Sequence, residues 1–302
     1  MKVKERYPLV SLLIANYNNG EFIIDTLNSA IGQTYPNIEI IIVDDASTDN
    51  SINIIRKFKE EHSEFKIDIY QNFFTYGCGR NKRKCVDIVR GSYFAFLDPE
   101  DTIESIAVEV LMRAHLENIG KYSIVYSTHY LCDEKLNILS ISDWPGEIPN
   151  SQSHLTSNEG HISAFAVCSK YFYDKTSGIN PEYIVAEDMD LYLKMEEVAP
   201  VLFINKPIYY YRKHDNNLSW SYDKRYQNLY WRHKAELAAY HRRKKNKTIA
   251  VNLKKSQYKR RKFLFYMQYA KMYRNRKIYI KSIKYNFKAL LYVCYYFKKN
   301  NV

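Results

Sequence analysis

The chain has 302 residues, of which 46% are hydrophobic. That is an ordinary globular composition, long enough for two domains or one domain with an extension. The net charge of +12 does not describe a uniformly basic protein: positions 241–302 hold 20 Lys+Arg, no acid follows Glu236, and the first 240 residues carry −8. No stretch approaches the ~20 apolar residues of a spanning helix, and the longest late run, Ala289–Phe297, reaches about half that.

The basic start and short apolar run of the N-terminus are too short for a signal-peptide core and read instead as a first strand, Leu9–Ala15. Asn16 to Gly20 form the turn. A helix follows to Ala30 or Ile31, with Ile23, Leu27, Ala30 and Ile31 at helical spacing. Ile38–Val43 is a second buried strand. It runs into Asp44-Asp45 and the small polar residues before a helix ending near Glu61, which is where open α/β sheets bind ligands. Ser47 or Thr48 is expected to cap that helix, with Asp49 at its positive end and Asp45 facing ligand. Phe65–Tyr70 makes a third strand. Gly77 and Gly79 then bracket Cys78 before a basic helix start, either a phosphate cradle or a plain tight turn.

Tyr93–Leu97 reads as a fourth strand delivering three carboxylates, Asp98, Glu100 and Asp101, into a cleft. Such a hard-oxygen set suits Mg²⁺ or Mn²⁺ and the phosphates it bridges. Asp101 with Glu104 has capping-box spacing, so it is expected to cap a helix whose face carries Ile103, Ile106, Ala107, Val110, Leu111 and Ala114. Tyr122–Tyr130 is a further strand, and Leu131–Pro149 is a hairpin or loop. Asn150–Gly160 is a polar lid, acceptor loop or surface insert. Glu187 and Asp188 open another helix, where capping alone is an alternative reading. Val201–Tyr211 is a late strand ending in Arg212-Lys213-His214, with the histidine read as structural. From Trp220 onward basic and aromatic residues alternate, giving two or three helices. The cysteines, Cys78, Cys85, Cys132, Cys168 and Cys294, form no Cys-x-x-Cys pair and read as reduced thiols of a cytosol-like compartment.

Four segments together carry a resemblance: VSLLIANYNNGEFIIDTLNSAIGQTYPNIEIIIVDDASTDNS, FLDPED, AEDMDLYLKM and YYYRKH. In this order they resemble the inverting family 2 glycosyltransferases of GT-A fold, over about residues 1–220. The resemblance implies an α/β, Rossmann-like GT-A mixed sheet flanked by helices, followed by a C-terminal basic helical extension. The divisions would be 1–121 for nucleotide-sugar binding, 122–220 for the acceptor and 221–302 for the extension. The donor would be a nucleotide-diphosphate sugar, commonly a UDP-sugar. Ala15, Asn16 and Tyr17 would lie by the base, Asp45 on the uracil or ribose, and Asn72, Gly77 and Arg80 near the ribose and diphosphate. Asp98 and Glu100 stand at the family's Asp-x-Asp, so Asp98 would face ribose or metal and Glu100 the metal, Mn²⁺ or Mg²⁺. Glu100 is one methylene longer than the usual Asp, which leaves Asp101 as an alternative. Asp188 matches the general base, and Glu187, His161 and Trp220 would be acceptor contacts.

The reaction expected is inverting transfer to a hydroxyl of a glycan or lipid-linked acceptor in surface polysaccharide synthesis. The basic tail is expected to hold the enzyme peripherally on an anionic membrane surface, on the cytoplasmic face. Packing of the tail on the acidic body or in a dimer is the bland alternative. Two other functions compete: a nucleic-acid- or anion-binding protein using the tail, and a nucleotidyltransferase on a related sheet. Neither explains the AEDMDL segment, and no nucleic-acid partner is expected.

Overall fold

The structure is a computed structural model describing residues 7–150, 152–157, 161–163, 165–214, 222–246, 255–275 and 277–300. Its first part alternates strand and helix: β1 (Val10–Asn16), α1 (Ile23–Ile31), β2 (Ile38–Asp44), α2 (Ser51–Glu61), β3 (Ile67–Gln71), α3 (Cys78–Asp87) and β4 (Tyr93–Phe96). Next come β5 (Thr102–Ile103), α4 (Ala107–Glu117), β6 (Ile124–Cys132), β7 (Ile138–Ile141), β8 (Ala166–Ser169), α5 (Lys170–Tyr173), α6 (Glu187–Glu196) and β9 (Val201–Arg212). Three long helices close the chain: α7 (Tyr222–Asn246), α8 (Lys255–Asn275) and α9 (Tyr279–Asn300).

The strands form one mixed sheet in the order β3-β2-β1-β4-β8-β6-β9-β5, with β7 on β6. β3, β2, β1 and β4 are parallel, β8 runs antiparallel to both β4 and β6, and β9 is parallel to β6. After β1 the chain moves outward to β2 and returns on the other side as β4. The carboxyl ends of β1 and β4 therefore flank the crevice where a doubly wound sheet takes its ligand. The apolar runs of β1 and β2 are covered on both faces. Leu12 and Ile14 enter a core with Ile23 and Leu27 of α1 and Leu111 of α4. Leu13 points oppositely, to Ile41, Val86 of α3, and Leu191 and Met195 of α6. This period of two is the strand's own geometry, and each fully buried Leu or Ile contributes about 1.5–3 kcal/mol.

Three local expectations are corrected. Asp101 caps no helix: Thr102–Ile103 pair with Tyr210 and Tyr209 of β9 as a short strand, and α4 starts only at Ala107. The buried Asp101 carboxylate instead accepts from the Tyr209 hydroxyl (2.6 Å) and the Arg212 amide (2.7 Å). Ser47 and Thr48 do not cap α2. The Ser47 hydroxyl donates to Asp44 (2.5 Å), and it is Asp49 that accepts the Ser51 amide at the helix start (3.0 Å). Among the described residues of 150–160, Ser153, His154, Leu155 and Ser157 are buried. They are no surface insert: the His154 amide donates to Glu196 Oε1 (2.7 Å), and Arg243 donates to Ser153 Oγ (2.9 Å). The Leu131–Pro149 alternative resolves as a hairpin, β6–β7, with Asp133 Oδ1 accepting the Lys135 and Asn137 amides at its turn.

The tail's first helix packs on the body. Arg242 grips Glu197 with two hydrogen bonds (2.8 and 2.9 Å), while the buried Arg243 reaches Glu196 (2.7 Å) and the Leu193 carbonyl (3.1 Å). Tyr183 meets Trp231 at 4.9 Å between ring centroids. α8 lies on α7, and α9 on α8. Among the described residues, no helix is long and apolar enough to cross a membrane.

Candidate active site

The first two strand ends build a polar floor. Asp44 accepts the Asn16 side-chain amide (2.8 Å) and the Ser47 amide (3.0 Å), tying the β1 and β2 ends together. Asp45, only 2% exposed, accepts from Asn72 Nδ2 (2.8 Å), the Tyr76 amide (2.9 Å) and the Gly77 amide (2.7 Å). Asn72 in turn accepts from Lys84 Nζ (2.7 Å). Asp45 and Asn72 therefore hold the turn into α3. Gly77 sits in that turn at φ +90°, a region costly for any residue with a Cβ. Tyr17 is 46% exposed beside this floor, whereas Arg80 pairs with Glu182 (3.1 Å) on the surface.

The start of α3 then closes on the segment before α6. A Cβ on Gly79 would lie 2.3 Å from the Tyr183 carbonyl oxygen and 2.9 Å from that of Asn180, so only glycine permits this approach. It brings Lys82 of α3 between two acids distant in sequence, Asp98 after β4 (3.3 Å) and Glu187 of α6 (2.9 Å). The Cys78 thiol also donates to Glu187 (3.3 Å). Ala186 precedes them with φ +59°, a left-handed conformation strained for alanine, where the chain turns to present Glu187 and Asp188.

The two neighbouring acids are driven apart. Burial alone would raise the Glu187 carboxyl, but the Lys82 ammonium outweighs it and holds Glu187 below its usual range. Asp188 is pushed up to about 6, by burial first and then by the Glu187 charge. As a whole residue Asp188 is exposed, and its Oδ1 accepts the Met189 amide (2.6 Å). Lys82 is held charged because Asp98 and Glu187 overcome its burial.

The third part of the site is the loop after β4, clamped by the end of β9. Arg212 donates to the Glu100 carbonyl (2.7 Å), the Glu134 carbonyl (2.6 Å) and Asp25 (2.8 Å). Burial, then the charge of Asp98, drives the Asp101 carboxyl well above its ordinary value, which favours its neutral, structural form. Glu100 keeps its carboxylate toward His214, with Oε2 3.0 Å from Nε2. A carboxylate and an imidazole at this separation can share one divalent cation, and Mn²⁺ takes both donor types. Among the described residues, no group of three or more His, Cys, Asp or Glu side chains forms a complete metal cage.

The structure thus brings Asp98 and Glu187 together through Lys82, places Asp188 next to them, and turns Asp45 and Asn72 inward. His161 is stacked on Trp144 (4.0 Å between centroids) and near His154, whose Nε2 is 3.0 Å from Met189 Sδ. Trp220 lies outside the described residues. Sequence reasoning missed Lys82, hidden in a run of basic residues. His214, read from the sequence as structural, stands 3.0 Å from Glu100 at the end of β9.

Residues 11–176 match the family model Glycosyl transferase family 2. The chain belongs to this family. As a glycosyltransferase it is 32% identical over 216 residues to the Escherichia coli UDP-Glc:alpha-D-GlcNAc-diphosphoundecaprenol beta-1,3-glucosyltransferase WfaP, covering 70% of this chain and 80% of that protein. It is also 32% identical over 218 residues to the chondroitin synthase of Escherichia coli, but spans only 30% of that longer protein and 71% of itself. Among solved structures it resembles Staphylococcus aureus TarS 1–349 in complex with UDP-GlcNAc, with a TM-score of 0.60 at 16% identity over 92% of this chain and 90% of that one. The mixed sheet with flanking helices is therefore that of the GT-A glycosyltransferases, and it carries a helical C-terminal part.

Proposed function

We propose that this glycosyltransferase moves a sugar from a nucleotide-diphosphate donor, a UDP-sugar, to a hydroxyl of a glycan or lipid-linked acceptor in surface polysaccharide synthesis, with inversion. The observation carrying this reading is the divided acid pair of α6: Glu187 is neutralised by Lys82, while Asp188 is open and poised near 6. A base of that strength is ionised at neutral pH and still accepts a proton from an attacking hydroxyl. Direct displacement from the face opposite the leaving group inverts the anomeric carbon.

Residues 1–121 hold the donor in this reading. Ala15, Asn16 and Tyr17 flank the base, and Gly77 and Arg80 lie toward the diphosphate, with Arg80 exchanging Glu182 for phosphate. Asp98 faces the ribose. Glu100 and His214 would hold Mn²⁺ or Mg²⁺, with diphosphate oxygens completing the coordination. The cation would supply charge neutralisation for the departing nucleotide diphosphate. WfaP, by its name, uses UDP-glucose and a diphosphoundecaprenol-linked acceptor, which supports the donor class and a lipid-linked acceptor here.

Asp188→Asn tests the assignment. Turnover should fall by roughly 10²–10⁴-fold while UDP affinity in calorimetry is retained. Near-normal turnover would remove Asp188 as the base.

A further inference from the structure

The last helix presents a face that nothing in the described structure covers. α9 is divided into three sectors around its axis. Ser282 and Ala289 are buried and Tyr285 packs between Tyr269 and Tyr273 of α8, with centroids at 4.2 and 5.6 Å. At 3.6 residues per turn these three positions lie on one side. Ile280, Ile283, Phe287, Leu290 and Leu291 lie on the other, every one exposed, Ile280 by 84%. Lys281, Lys284 and Lys288 fall between the two, along one edge of the apolar stripe. Lys281 and Lys288 bend over the Tyr273 and Tyr266 rings, at 5.4 and 5.8 Å.

Single exposed apolar residues are ordinary, but a continuous helical stripe of Ile, Phe and Leu is not. Its occupant is indicated by charge. From residue 241 to 302 there are 20 Lys+Arg and no Asp or Glu, so the surroundings suit a polyanionic plane and offer no acidic side chain to a basic partner. An apolar stripe edged by lysine, on a helix too polar to span a bilayer, is the pattern of a helix lying in a lipid headgroup layer. We infer that α9 docks flat on an anionic membrane, with Ile280, Ile283, Phe287, Leu290 and Leu291 in the acyl boundary and Lys281, Lys284 and Lys288 at the headgroups. This surface is separate from the acids of the active site and does not depend on the reaction proposed for them.

The test is flotation of the full-length protein with two kinds of vesicle, phosphatidylcholine alone and phosphatidylcholine with phosphatidylglycerol. The wild-type protein should float with the anionic vesicles, and raised salt should release it. Ile283→Asp/Phe287→Asp should lower the apparent partition coefficient about tenfold or more, through lost burial and added negative charge. Lys281→Gln/Lys284→Gln/Lys288→Gln should weaken binding to anionic vesicles and flatten the salt dependence. Both variants should keep wild-type UDP binding, since neither touches the sheet. No flotation of wild type on anionic vesicles overturns the inference, as does flotation unchanged by Ile283→Asp/Phe287→Asp. A lipid-independent dimer in sedimentation, dissolved by the same pair of substitutions, assigns the stripe to a second copy of the chain and also overturns it.

Discussion

Replacing Lys82 by Met keeps the length of the side chain and removes only the ammonium between Asp98 and Glu187. The two ion pairs measure 3.3 and 2.9 Å, and the Lys82 and Glu187 side chains are 12% and 6% exposed, so solvent screens the inner pair little. At an effective dielectric of about 20, unit charges 3 Å apart interact by about 5 kcal/mol. Truncating one partner of such a buried pair costs about 3–5 kcal/mol, because the remaining carboxylate is stranded. For a chain of this size that corresponds to a fall in Tm of roughly 6–10 °C. The loss has a sign in pH. Without Lys82, Glu187 and Asp188 repel each other uncompensated, and the pair binds its first proton at higher pH than in the wild type. Destabilisation is therefore largest above neutrality, where both are ionised, and eases as acid protonates the pair. The same shift moves catalysis. The wild-type rate should fall below about pH 6, as Asp188 takes up its proton, and in Lys82→Met this acid limb should rise by about one pH unit or more. Lys82→Arg, retaining charge, should bring the limb back toward the wild-type position. The assays are a pH profile of kcat/KM and thermal melts at pH 6 and pH 8. An acid limb still at the wild-type pH, with a Tm within about 1 °C of wild type, would refute the view that Lys82 separates the two acids.

Gly79→Ala puts a methyl 2.3 Å from the Tyr183 carbonyl oxygen. The resulting overpacking should cost about 1–3 kcal/mol, read from the denaturant midpoint, and should lower turnover by moving Lys82. Arg243→Met removes the buried guanidinium that Glu196, Ser153 and the Leu193 carbonyl share. It should destabilise by about 3–5 kcal/mol and expose α7 to limited proteolysis before the sheet. Glu100→Ala and His214→Ala should each weaken Mn²⁺-dependent UDP binding in calorimetry by roughly 10–100-fold. Equal affinity in both variants would move the cation away from the 3.0 Å pair.

The strand–helix alternation to β4 was legible because it is local. Apolar runs such as Ile38–Val43 and the helical spacing of Ile23, Leu27 and Ala30 declare their elements within a few residues, and the structure has them as β2 and α1. Asp101 shows the limit. Its spacing to Glu104 satisfies a capping box, but pairing of Thr102 and Ile103 with β9 satisfies the same backbone by a partner far along the chain. Local propensity yields to such tertiary pairing because a buried strand gains both hydrogen bonds and apolar contact. The polar stretch around Ser153 misled for a related reason. Its composition suits a solvent-exposed loop, yet Arg243 and Glu196 provide the hydrogen bonds that let it be buried.

The sequence by itself determined the family, the order of the elements as far as β4 and the carboxylates delivered at strand and helix ends, since these reside in contiguous motifs. Tertiary structure decided how those carboxylates differ. Glu187 meets Cys78 across 109 residues, and Asp101 meets Arg212 across 111. Whether an acid is stranded, neutralised or poised depends on the charge and burial that folding brings to it. Glu187 and Asp188 are adjacent in the chain, and Lys82 contributes the difference between them only because Gly79 lets its helix come close enough.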